Sequence, residues 1–411
     1  MYTIAPISAV GTGLSIIIPL YILALHGNVL EVGFAVTLYN IVAIPSSLLW
    51  GKLTDKFGGN NHRLFIVSSI IGVFPILFIL GLAYGPHVIE ASYGLYALVA
   101  TAASPSINIL VMGTKRNPNL PRFFSRYSVY GIVGSLFATI PGLLVGSQIV
   151  VYLDILIAIN FIGLMLAFFT IKEMKPNAVP KAEARRVHAL FPILNMLSTL
   201  PNLLTGQRLI EDLHNIFNVK HRNLYLLLLA IALLNGAMNL FNTSYIPYLQ
   251  SFGLSYSSIF SINIANSVAQ LLVYLALAYL VLRKINLHRY YSISVLTRGA
   301  SYIFMALPLI ATVGAFFYIN LAGYAIAGIA YAMWNIASSV LLFDHIRGRN
   351  AGYNIGIWLA VLGLSAVAGS FASGIISQEA GYIYTFLMAS VVTFLSFVVF
   401  DIYHRSYYVS R

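Results

Sequence analysis

The sequence predicts an all-α integral membrane protein: twelve transmembrane helices in two six-helix halves. Three observations carry this. The 411 residues are 59% hydrophobic and only 8% charged, with mean hydropathy +0.86, whereas soluble domains carry about 25% charged residues. The chain holds twelve apolar runs of roughly the 20 residues that a helix needs to cross a bilayer. All 23 Lys and Arg fall in, or at the edges of, the segments on one side of those runs. The net charge of +12 is therefore a topological signal and not a nucleic-acid footprint, and the positive-inside rule places both termini in the cytoplasm.

The first six runs cover 3–25, 32–50, 64–84, 88–112, 126–147 and 149–171. No basic segment precedes the first and no small-residue cleavage site follows it, so it reads as a retained span rather than a leader. Lys52, Lys56 and Arg63 separate spans 2 and 3, and Lys115, Arg116, Arg122 and Arg126 separate spans 4 and 5. The last six runs cover 224–248, 256–282, 290–312, 315–343, 352–377 and 380–403. Arg283, Lys284 and Arg289 separate spans 8 and 9, and Arg347 and Arg349 separate spans 10 and 11, while Glu31, Glu90 and Glu379 occupy opposite-side loops.

Residues 172–222 divide the chain, giving a first half at 1–171 and a second at 223–411. The stretch IKEMKPNAVPKAEARR (171–186) reads as a linker. Residues 188–204 are apolar, but they contain Pro192 and Pro201, and a thirteenth span here would carry the basic loops of the second half outside. Farther on, Leu203, Leu209, Ile210, Leu213, Ile216 and Phe217 share a helical face opposite Arg208, Glu211, Asp212 and Asn215, which predicts a helix lying on the inner membrane surface.

The halves look like weak repeats. Spans 5 and 11 both follow a basic loop and carry closely spaced glycines, Gly131, Gly134, Gly142 and Gly146 in one and Gly363, Gly369 and Gly374 in the other. Small residues at such spacing allow close helix packing, and the duplication fits transporter architecture.

GKLTDKFGGNNHR (51–63) carries Asp55 just beyond span 2, near a helix C-terminus, where the macrodipole disfavours an anion. An acid there needs a partner outside its own helix. Gly51, Leu53, Asp55, Lys56 and Gly58 stand at the spacing of the signature loop of the major facilitator superfamily, which this chain resembles over its whole length. Gly59 and Asn60 stand where that pattern has basic residues, so either Arg63 takes their role or the charge network is thinner here. The resemblance implies that Asp55 closes an inner gate against the start of span 11, near Asn350, Ala351 and Gly352, where unpaired helix N–H groups favour an anion.

Polar residues inside the spans are the candidate cavity. Asn235, Asn239 and Asn242 share one face of span 7, and Asn263, Asn266 and Gln270 share one face of span 8. Amides avoid lipid, so these faces point inward, either lining a cavity or tying helices together. Asn40, Asn108, Trp334 and Asn335 are further cavity candidates in spans 2, 4 and 10. Tyr39, Tyr93, Tyr96, Tyr245 and Tyr274 also lie within spans, where core packing and solute stacking compete as their role. Asp154 in span 6 and Arg298 in span 9 are the coupling candidates, with interfacial bonding for the acid and snorkelling for the arginine as the bland readings.

Some chemistry is excluded. With no cysteine there are no disulfides, thiol nucleophiles or thiolate-ligated metals. Span 4 lacks the arginine of the superfamily's proton-coupled drug antiporters, and spans 1, 4 and 7 hold no carboxylate. No carboxylate cluster for divalent cations and no intramembrane histidine–carboxylate pair points to an enzyme. The expectation is a monomeric plasma-membrane transporter of a small organic solute, secondary active or facilitative, working without cofactor or metal by alternating access in the bilayer, with protons as the candidate coupling ion if it is coupled. Efflux of drug-like or metabolic compounds is favoured over sugar or polyol uptake, and a channel or solute sensor is the alternative of another class.

Overall fold

The computed structural model describes residues 3–57, 62–107, 120–171, 222–280, 286–306, 313–346 and 351–409. Among these residues there is no strand and there are twelve long helices. In chain order they are α1 (Ile4–Ala24), α2 (Val29–Phe57), α3 (His62–Gly81), α4 (Pro86–Ala100), α5 (Leu120–Val145), α6 (Ile149–Thr170), α7 (Arg222–Ser251), α8 (Tyr256–Leu275), α9 (Leu287–Ala306), α10 (Val313–Ile346), α11 (Ala351–Glu379) and α12 (Tyr382–Val409). Ten helical stretches are long and apolar enough to cross a membrane. The two helices without one are α4, interrupted at Thr101 and Ala102, and α9, diluted by His288, Arg289 and Arg298.

Several helices outrun the apolar runs that announce them. α2 continues to Phe57, seven residues past the run ending at Trp50, because Leu53 and Thr54 are buried against the bundle. α12 continues to Val409. Hydropathy detects the bilayer-facing part of a helix, whereas the backbone ladder propagates into water as well. α8 instead changes winding, passing into a π-helical turn at Ala276–Leu280. The linker and the amphipathic segment expected between 172 and 221 lie outside the described residues.

The packing repeats with a shift of six helices. In the first six, α1 packs on α2, α4, α5 and α6, α3 on α4 and α6, α2 on α4, and α5 on α6. Each pair has its counterpart in the last six, where α7 packs on α8, α10, α11 and α12, α9 on α10 and α12, α8 on α10, and α11 on α12. Two of the glycines anticipated from the repeat sit at matching contacts, Gly134 of α5 facing the Ala5 backbone of α1 and Gly369 of α11 facing the Gly236 backbone of α7, whereas Gly146 lies just past α5 at φ +59° with open space at its Cβ position and serves the turn instead. The halves meet mainly along α2–α11 and α5–α8, with α1 touching α7.

The buried core is distributed unevenly along the bundle. At the end opposite the termini, the far end, one apolar cluster joins both halves, including Ile17, Leu20 and Ile22 of α1, Val32 of α2, Ile246 and Leu249 of α7, and Phe260 of α8. Toward the terminal end the described core divides. One cluster lies around Ile66 and Ile70 in the first half and another around Leu234 and Phe400 in the second, while a third joins α5 to α8 and α10.

Candidate functional site

The two helices that begin the halves, α1 and α7, carry equivalent polar stripes. On α7, Asn235, Asn239 and Asn242 follow i, i+4, i+7 spacing, as do Ser8, Thr12 and Ser15 on α1. Ser15 and Asn242 are exposed in mid-helix. On the same faces, the next turns toward the far end, Pro19 and Ile22 on α1 and Ile246 and Leu249 on α7, are buried. Each stripe is therefore exposed at one residue, Ser15 on α1 and Asn242 on α7, next to where the inter-half core begins.

Hydrogen bonds hold the stripes in place. Thr12 Oγ1 lies 2.8 Å from Ser135 Oγ on α5, and Ser15 Oγ donates to Thr12 O at 2.8 Å. Asn235 Nδ2 donates across to α11, to Leu362 O at 2.8 Å and Ser365 Oγ at 2.9 Å, and Asn239 Nδ2 donates back to Asn235 O at 2.9 Å. Asn235 thus ties two helices together, while Asn242 is exposed.

The other expected cavity residues divide similarly. Asn266 donates to Tyr324 O at 2.7 Å and Asn335 to the Tyr274 hydroxyl at 2.9 Å, so both join α8 to α10. Trp334 is buried in the core of the second half. Asn40 is half-buried on α2, and Asn108 lies outside the described residues. Close to Asn40, Tyr39 stacks on Tyr93 of α4 with ring centroids 4.7 Å apart, and Tyr93 and Tyr96 lie parallel at 6.2 Å. The Tyr96 hydroxyl reaches Gly11, one residue before Thr12, so this tyrosine stack flanks the α1 stripe.

Tyr245 and Tyr274 are fully buried. The α1 hydroxyls were not anticipated from sequence, although their spacing equals that of the asparagines and was the available signal.

The structure does not bring the two coupling candidates together. Asp154 shares an exposed face of α6 with Val151, Phe161 and Met165, pointing away from the central space. Arg298 does not snorkel. It is buried between α9 and α10, where Nε donates to the Tyr302 hydroxyl at 2.8 Å and Nη1 to Ala327 O at 2.6 Å. Its guanidinium carbon stands 5.4 Å from the Tyr302 ring centroid and 5.8 Å from that of Tyr331.

At the terminal end, Asp55 and Lys56 occupy the last turn of α2, which packs along α11, and Gly352 lies in the first turn of α11. The side chains of Asp55 and Lys56 lie outside the described residues, as does Gly58. Gly51 has open space around its Cα, and the Arg63 guanidinium lies 5.2 Å from the Phe168 ring centroid on α6.

A family model described as Major Facilitator Superfamily matches residues 3–354 and 227–406. Among solved structures, the nucleoside transporter NupG is similar with a TM-score of 0.68 and 14% identity, over 98% of each chain. The human organic anion transporter MFSD10 (TETRAN) is similar with a TM-score of 0.68 and 13% identity, over 97% of this chain and 98% of that one. At such identities the likeness is one of fold. A comparison with curated protein sequences gives no match.

Proposed function

The chain belongs to the major facilitator superfamily of membrane transporters, and from that premise we propose that it carries a small neutral or amphipathic organic solute by alternating access between its two halves. The observation that supports the proposal is the pair of equivalent polar stripes, with Ser15 and Asn242 exposed within their helices and the next turn buried on each. Hydroxyls and amides offer donors and acceptors without fixed charge, and the Tyr39, Tyr93 and Tyr96 stack offers an aromatic flank. In this reading residues 1–171 and 223–411 are the moving bodies, 172–222 is a cytoplasmic linker with a surface helix, and the terminal end is the cytoplasmic side. Asp55 and the start of α11 form the gate on that side. Export of drug-like or metabolic compounds is the first direction to test and sugar or polyol uptake the second.

The absence of cysteine makes the native chain a clean background for thiol labelling. A cysteine replacing Asn242 should react with an impermeant reagent from the terminal side, and one replacing Ile246 should not. Liposome counterflow of a nucleoside, a hexose and an amphipathic organic anion then tests carriage, because exchange against a preloaded gradient requires a carrier cycle. Flux without counterflow for any member of the panel would make the protein a channel. Topology is read in the same background: of single cysteines at Asn60, Ala178 and Glu379, only the one at 379 should label on intact cells, and labelling at 178 from outside would overturn the orientation.

A further inference from the structure

Arg298 poses a problem that packing does not solve. A charge removed from water is costly unless it is paired and hydrogen-bonded, and an ionisable group at membrane depth ordinarily has a task. Arg298 keeps only 5% of its surface exposed, and no carboxylate approaches it among the described residues. Its two hydrogen bonds go to neutral oxygens. The guanidinium has five N–H donors. Nη2 has no acceptor among the described residues, yet it is not one of the unpaired atoms sealed from solvent.

The position of this unspent charge is informative. Tyr324 and Tyr331 project from the inward face of α10, as do Asn320 and Asn335. Tyr324 packs on Phe241 and Tyr245 of α7, and Tyr331 is half-buried beside Trp334. The guanidinium stands over the Tyr331 ring, 5.8 Å from its centroid, and is held by Tyr302 and the α10 backbone. Those bonds fix the plane of the fork and leave Nη2 without an acceptor among the described residues. A planar cation held this way is suited to a carboxylate, phosphate or sulfonate.

We propose that Arg298 is an anion-recognition residue, receiving the anionic end of an amphipathic organic solute past the Tyr324–Tyr331 wall while the rest of the solute lies against the α1 and α7 stripes. The inference rests on the carrier reading above and narrows its substrate class to amphipathic organic anions. It makes Arg298 a specificity determinant that acts from within the second half.

The test uses the full-length chain with a cysteine in place of Tyr331. The thiol should react faster with an anionic methanethiosulfonate sulfonate than with the cationic trimethylammonium reagent of similar size. Arg298→Gln should lower the anionic-to-cationic rate ratio about tenfold or more, and Arg298→Lys should retain most of it. Benzoate should protect the thiol, and its neutral isostere benzamide should not. A ratio unmoved by Arg298→Gln, or benzoate protection no greater than that of benzamide, overturns the proposal. The protection comparison needs no substitution at 298, so it stands even if Arg298→Gln fails to fold. Liposome counterflow reports the carrier cycle separately, so an absence of charge selectivity at 331 leaves the carrier reading intact.

Discussion

A valine at Gly33 reduces transport to less than a tenth and opens the far end of the bundle: this is the largest effect the structure leads us to expect. Gly33 of α2 and Gly374 of α11 cross almost in backbone contact, and a Cβ on Gly33 would lie 2.8 Å from Gly374 Cα and 3.2 Å from Gly374 N. Nothing at that crossing is a flexible side-chain end that could yield. One turn deeper, Thr37 Oγ1 and Ser370 Oγ are 3.0 Å apart, and on the flank the Phe34 and Phe371 rings lie 6.1 Å apart. Overpacking of this kind costs about 1–3 kcal/mol, which shifts a balanced two-state equilibrium by about 5- to 150-fold. A cysteine at Ile246, buried in the parent chain, should then react from the far side. Gly374→Val should act alike, and the double variant should add little, since both remove one contact. Wild-type turnover in Gly33→Val would show that the crossing can separate at no cost.

Asp55→Asn should lower turnover about tenfold with expression and fold intact. The acid sits in the last turn of α2 beside a helix C-terminus, an unfavourable place unless the α11 N-terminus receives it. Loss of one charge-assisted contact costs about 1.5–3 kcal/mol, and it falls on only one of the two gated states. The variant should therefore change the sidedness of Asn242→Cys labelling as well as the rate. Turnover and sidedness both unchanged would remove Asp55 from the gate.

The fold was legible in the sequence because its two signals, apolar length and one-sided basic loops, arise from the bilayer and not from tertiary contacts. The glycines of spans 5 and 11 were legible for a related reason: close approach requires small residues whatever the partner. Legibility ended where neighbours decide. Periodicity turned Asn235 and Asn242 inward alike, yet it held no information on Ser365, which engages Asn235, or on the absence of such a partner near Asn242 among the described residues. Arg298 could equally have reached the surface until Tyr302 and Ala327 were seen to hold it. Asp154 looked interior because its depth along α6 could be counted and its direction around the helix could not. The hydroxyls of α1 were overlooked because serine and threonine are ordinary in transmembrane helices and announce nothing singly.

The two flanks of α11 differ in the kind of cohesion they possess. Toward α7 and α12 the helix is bonded: Asn235 reaches Leu362 and Ser365, Ser373 donates to Leu240 O, Ser244 meets Ser373, and Ser377 links Ser244 to Thr385. Toward α2 it offers glycine backbone and apolar rings, with the Thr37–Ser370 bond as the directional contact seen there. In a bilayer, apolar surfaces gain little from each other that lipid would not supply, whereas a broken hydrogen bond has no water to replace it. The smooth flank is therefore a glide plane and the bonded flank a weld. With the weld to α7 made, α11 should move together with α7 and α12, and lipid chains able to enter the glide plane become competitors for the same surface. The pace of such a protein should then follow the fluidity and chain length of its membrane, even where no lipid headgroup is recognised.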